Sequence, residues 1–254
     1  MMKIGAQLYT VRAFCKDLEG LDESLKKVAD IGYRSVQLSG VCPYEADWMA
    51  ERLKAYGLTC DLTHYDYNKL LTKTEETIRF HETMGCRYIG LGYSSRLQSQ
   101  EEFVRFTEEL RPVLSRLGDA GYKFMYHNHN HEFAKREGKT LLEHLCDAFS
   151  KEELGITLDC YWAQAGGADP AEWIKKLSGR VDCVHYKDMI YSLEEKAPRM
   201  AVVGEGNMNY PAIIRASYDT GVKYAFVEQD DCYGEDPFDC LKRSYDYLKA
   251  EGLS

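Results

Sequence analysis

The chain is expected to fold as an α/β protein, a (β/α)8 barrel forming a single domain over residues 1–254. Three observations predict it. Short apolar runs alternate with amphipathic stretches from end to end, the pattern of parallel strands joined by right-handed helical crossovers. Eight such pairs fit into 254 residues, a length that a barrel fills without dividing. No linker, low-complexity run or shift in composition interrupts the chain. An open doubly wound sheet would normally announce itself by a phosphate loop, and no GxGxxG or Walker-type lysine motif follows any strand.

In chain order the strands are expected at Lys3–Tyr9, Ser35–Leu38, Thr59–Thr63, Tyr88–Leu91, Lys123–His127, Gly155–Asp159, Cys183–Tyr186 and Tyr224–Glu228. Helices are expected between them at Leu21–Ile31, Tyr44–Tyr56, Lys73–Met84, Glu101–Ala120, Leu141–Phe149, Pro170–Leu177, Tyr210–Tyr218 and Pro237–Lys249. The first helix shows the reasoning. Leu21, Leu25, Val28, Ala29 and Ile31 recur at roughly helical spacing, with acidic residues early and Gly32 as the stop. Two connections are longer than a barrel requires. One is the polar stretch from Tyr93 to Gln100. The other runs from Asp188 to Asn209 around the Gly204-Glu205-Gly206 turn, and is expected to be either a lid or a solvated excursion.

Composition narrows the function. A net charge of −9 argues against a nucleic-acid binder, which would need a basic footprint. No apolar run approaches the ~18 residues of a membrane span, and Met1-Met2-Lys3 leads into a short strand without a secretory signal. Nine scattered cysteines, odd in number and without a CxxC pair, read as reduced thiols. The expectation is a cytoplasmic enzyme with a small-molecule partner, whose exposed barrel helices leave room for pairing into a homo-oligomer.

The chemistry is expected around Met125-Tyr126-His127-Asn128-His129-Asn130-His131-Glu132-Phe133. An apolar strand that ends in histidines at alternate positions aims them to one side, and imidazole is both a metal ligand and a proton carrier. Barrel chemistry sits at the C-terminal ends of strands. Those ends carry Gln7 and Tyr9, Gln37, His64, His127 and His129, Asp159 followed by Trp162, His185 and Lys187, and Glu228. Each alone has an ordinary structural explanation: Asp159 as a helix cap, a lone histidine as a hydrogen-bonded core residue, Glu228 as the start of a polar turn. Their recurrence on consecutive strands is what points to a site. Converging carboxylates and imidazoles are poorly satisfied without a cation, and mixed ligands of this kind suit Mn²⁺, Co²⁺, Zn²⁺ or Fe²⁺, or Mg²⁺ where carboxylates dominate.

The sequence resembles the xylose-isomerase-like TIM-barrel superfamily, in its sugar phosphate isomerase/epimerase branch. The resemblance runs the full length and rests on Ile4-Gly5-Ala6-Gln7-Leu8-Tyr9-Thr10-Val11-Arg12, Tyr126-His127-Asn128-His129, Glu132-Phe133, Leu158-Asp159-Cys160-Tyr161-Trp162, His185-Tyr186-Lys187-Asp188, Val203-Gly204-Glu205-Gly206 and Val227-Glu228. It implies one divalent cation, with Asp159, His185 and Glu228 as ligands. For the first ligand place the family glutamate falls on His127 by count from Gly121, while Glu132 is the nearest carboxylate and is favoured on charge. The resemblance further implies a carbohydrate substrate and proton abstraction beside its carbonyl, with His127 or His129 and Glu228 as proton carriers. Isomerisation or epimerisation is the first expectation; the His-Asn-His pattern also resembles inosose dehydratases and keto-sugar lyases, which makes elimination the alternative. Gln7, Trp162, Lys187 and Glu205 are expected to contact substrate. A repair endonuclease of the same superfamily would place histidine where Trp162 stands, and a non-catalytic sugar-binding barrel would not need the full ligand and base set.

Overall fold

A computed structural model describes residues 2–253. Eight parallel strands close into a barrel: β1 (Lys3–Gln7), β2 (Ser35–Leu38), β3 (Thr59–His64), β4 (Tyr88–Leu91), β5 (Lys123–His127), β6 (Leu154–Asp159), β7 (Cys183–Tyr186) and β8 (Tyr224–Val227). Each pairs with its sequence neighbour, and β8 returns to β1 with Ala6 opposite Val227. The (β/α)8 barrel expected from the sequence is therefore the fold.

The first strand stops two residues before Tyr9, because Leu8–Val11 coil into a 3-10 turn whose leading amide, Tyr9 N–H, donates to Gln7 Oε1 at 2.7 Å. The last strand ends at Val227, yet Glu228 N–H still donates to Tyr186 O at 3.1 Å, so Glu228 keeps the direction of the strand. Short elements escaped the periodicity. Tyr67–Thr72 and Cys160–Ala165 are six-residue helices capped by Asp66 and Asp159. Asp188–Ser192 and Ala197–Ala201 form an antiparallel hairpin within the long loop after β7. The Asp188 carboxylate holds that loop to the barrel by accepting from the amides of Met189, Gly204, Gly206 and Met208.

Strand alternation builds the site from the core upward. Leu62, Met125, Cys183 and Phe226 fill the barrel interior as one fully buried cluster. Two residues further along the same four strands stand His64, His127, His185 and Glu228, which face the same way one layer higher. Close packing of the lower layer fixes the height of the upper one. Gly5 shows how tight it is: a Cβ there would fall 2.5 Å from the Phe226 ring. Truncating Phe226 to alanine would cost about 3–5 kcal/mol and remove the floor beneath the polar layer.

Candidate metal centre

His127, Asp159, His185 and Glu228 each offer a ligand atom, and the four atoms lie within 4.8 Å of one another, all buried. The rest of each side chain is tied down so that the ligand atom points inward. His127 Nδ1 lies 2.9 Å from Gly92 O; a carbonyl only accepts, so this nitrogen carries the proton and Nε2 presents its lone pair. That Nε2 is 3.3 Å from Asp159 Oδ2. His185 Nε2 lies 2.7 Å from Gln37 Oε1, which by the same logic puts the proton on Nε2 and leaves Nδ1 with its lone pair, 2.8 Å from Glu228 Oε2 and 3.6 Å from Asp159 Oδ2. Glu228 Oε1 accepts from Gln7 Nε2 at 2.9 Å. Asp159 Oδ1 caps the following helix through Trp162 N–H at 2.8 Å, and Asn128 Oδ1 accepts from Asp159 N–H at 3.0 Å.

The donor set fits a divalent cation on two counts. His185 Nδ1 and Glu228 Oε2 are enclosed and turned toward each other at 2.8 Å, with the Lys187 ammonium 3.1 Å from the carboxylate oxygen, so a cation can be shared at this point. Charge is the second count. The Lys187 ammonium, fully buried, touches Asp159 Oδ2 and Glu228 Oε2 at 3.1 Å each and Asp230 Oδ1 at 2.9 Å. Three carboxylates against one ammonium leave negative charge in excess, which a divalent ion would neutralise.

The same contacts set the protonation states. Burial opposes charge on Asp159 and Glu228, but Lys187 and the neighbouring imidazoles hold both carboxyls well below the usual range. Burial likewise opposes charge on Lys187, and Asp159, Glu228 and Asp230 outweigh it and raise its pKa. Asp230 is pushed up to about 7 by burial and then by Glu228, against the pull of Lys187. His129 is lowered to about 3 by burial and by His127, so its imidazole is neutral near pH 7.

A cavity of about 450 Å³ opens over this group, and its wall includes Gln7, His64, His129, Trp162, Lys187 and Glu228. His129 packs against Trp162 at 5.3 Å between rings, with Nδ1 unpaired. Gln7 and Lys187 thus reach both the cavity and the ligand carboxylates, while Trp162 contributes wall. Glu132, favoured from the sequence as first ligand, is not brought to the group. The turn His131–Phe133 folds it back, and its carboxylate accepts from Tyr126 Oη and His129 N–H at 2.8 Å each and lies 3.2 Å from His131 Nε2. His127 occupies the place that Glu132 was expected to fill. Glu205 does not reach the cavity either; it is exposed, 3.6 Å from Arg243 Nε. Gln37, Asn128 and Asp230 were not singled out as site residues from the sequence. Gln37 shared with Gln7 the one available signal, an amide at the end of an apolar strand.

A family model described as xylose isomerase-like TIM barrel matches residues 25–250. The chain belongs to that family. The xylose isomerase-like fold is shared with a sugar phosphate isomerase/epimerase from Parabacteroides distasonis ATCC 8503, at a TM-score of 0.81 and 21% identity over 98% of this chain and 94% of that one. An L-ribulose 3-epimerase superposes with a TM-score of 0.77 at 15% identity, covering 98% and 94% of the two chains. A probable 3-DHS dehydratase from Bacillus anthracis gives 0.74 at 17% identity, covering 98% and 99%. At these identities the likeness shows the fold. No curated protein matches the chain. Among the described residues no helix is long and apolar enough to cross a membrane.

Proposed function

We propose that this xylose isomerase-like barrel is a divalent-metal-dependent sugar isomerase or epimerase, which moves a proton beside a carbonyl of a sugar or sugar-like polyol. The observation that carries this reading is the buried group His127, Asp159, His185 and Glu228, whose four ligand atoms lie within 4.8 Å of one another beneath a polar cavity. Those four residues would hold the ion. Two imidazoles and two carboxylates favour Mn²⁺, Fe²⁺, Co²⁺ or Zn²⁺ over Mg²⁺. When bound, such a cation polarises a carbonyl oxygen and so acidifies the neighbouring C–H.

The chain's own residues do the rest. Glu228 lines the cavity, with Gln7 fixing one carboxylate oxygen and the Lys187 ammonium 3.1 Å from the other, the oxygen placed to take a proton. With His127 among the ligands, His129 is the imidazole left on the cavity wall with an unpaired Nδ1, placed to exchange a proton with bound substrate. Lys187 supplies a fixed positive charge at the cavity floor, suited to a developing oxyanion. Trp162 and Tyr93 flank His129, with ring centres 5.3 and 5.1 Å from its own.

One observation favours a second reading. The ligand group holds a single glutamate, where an exchange between two metal-bound glutamates would need a pair. One carboxylate and one imidazole serve elimination of a β-hydroxyl equally well, so a lyase acting on a keto-sugar or keto-inositol is the alternative.

The test incubates metal-loaded protein with keto-sugars in deuterium oxide and follows substrate mass. Deuterium uptake with an intact carbon skeleton supports isomerisation or epimerisation, and loss of water supports the alternative. The His185→Ala protein should lose both the ion and the exchange. Exchange that persists in metal-free His185→Ala protein would overturn the proposal.

A further inference from the structure

A second cavity of about 620 Å³ adjoins the one above the ligand group. Ser39 and His64 line both, so the two spaces meet at these side chains. His64 stands at the junction: its ring is 5.2 Å from His127 and 5.7 Å from His185, Ser39 Oγ lies 3.0 Å from its Nδ1, and its enclosed Nε2 has no partner. A polar atom left over at a doorway between two cavities is suited to a substrate atom that passes through it.

The walls of this annex differ in character from the ligand group. Tyr44, Tyr65 and Phe80 form an aromatic side, with Phe80 5.6 Å from Tyr44 and 5.7 Å from Tyr65 between ring centres. Lys69, Lys73, Glu45, Asp66 and Glu76 supply donors and acceptors of both signs around it. Lys73 is already paired with Glu76 at 3.1 Å, and Asp66 is committed to the amide of Lys69. Three carboxylates facing two lysines, without an arginine, disfavour a phosphate or other strong anion. Apolar ring faces among scattered polar groups suit a neutral polyhydroxylated ring, which has apolar faces and a hydroxylated rim.

We infer that the annex is a subsite for a second sugar ring, and that the substrate is a glycoside whose carbonyl-bearing unit lies over the ligand group while its linking oxygen passes His64. The inference rests on the proposed carbohydrate function and names its substrate class.

The test uses calorimetric titration of the Mn²⁺-loaded protein with D-fructose, a free ketose, and with lactulose and isomaltulose, which carry a second ring on that ketose at different hydroxyls. At least one disaccharide should bind about tenfold more tightly than fructose. In Val41→Trp, which fills the annex, and in Lys69→Ala, on its exposed rim, that preference should shrink to about one. Fructose binding as well as or better than both disaccharides overturns the subsite and leaves the sugar function standing. A preference that survives in both variants also overturns it. Binding of none of the three sugars overturns the subsite together with the reading beneath it.

Discussion

His185 Nδ1 and Glu228 Oε2 face each other at 2.8 Å, both enclosed. Each is held in that position from behind by a glutamine: Gln37, reaching across the barrel from β2, at 2.7 Å from the far nitrogen of His185, and Gln7, on the adjacent strand β1, at 2.9 Å from the far oxygen of Glu228. The two amides set which atoms of the candidate ligand pair face inward.

Gln37→Leu should weaken metal binding by about 10–100-fold, because the imidazole loses the acceptor that fixes its tautomer. Titration with Mn²⁺ or Co²⁺, followed by elemental analysis, measures this. An unchanged affinity would remove Gln37 from the site.

Lys187→Met should destabilise the metal-free protein by about 3–5 kcal/mol, because Asp159, Glu228 and Asp230 then share buried charge without a counter-ion. Thermal unfolding with and without chelator should show a drop on the order of 10 °C in the metal-free form and a smaller one with saturating Mn²⁺. Equal drops in both forms would mean that the ion and the ammonium do not share a task.

His81 gives the fold an acid sensitivity away from the site. Burial lowers its pKa from 6.5 to about 4, only partly offset by its bond to Thr77 O. The unfolded imidazole takes up a proton near pH 6.5 and the folded one resists to about 4, so the unfolded chain binds more protons between those values. Stability from this group is complete above pH 6.5 and is lost as pH falls through that window, by up to about 3 kcal/mol. Urea unfolding at several pH values should show a shallower acid decline in His81→Gln than in the parent; parallel curves would contradict the assignment.

Asp188→Ala should release the hairpin after β7, since four amides lose their common acceptor. Limited proteolysis should cut within residues 188–209 faster than in the parent by about tenfold or more. Unaltered protection would show that the hairpin is held by its other contacts, such as Met200 N–H to Tyr233 Oη at 3.1 Å.

The polar layer was largely legible because a strand has a period of two. Met125 to His127, Cys183 to His185 and Phe226 to Glu228 each step from a core residue to a mouth residue on one face, so local sequence predicts both. Glu132 was misplaced for a local reason of a different kind. It lies beyond the strand end, where a 3-10 turn and the Tyr126 hydroxyl settle its direction, and no periodicity extends there.

By itself the sequence determined the barrel, the strand ends that meet at its mouth and the residue types gathered there, because alternation and helical spacing are properties of short stretches. Only the tertiary structure decided that His127 rather than Glu132 joins Asp159, His185 and Glu228, that Lys187 lies among the carboxylates, and that Gln37 orients His185. These relations join positions as much as 148 residues apart, and they depend on burial and on which donor finds which acceptor once the barrel has closed.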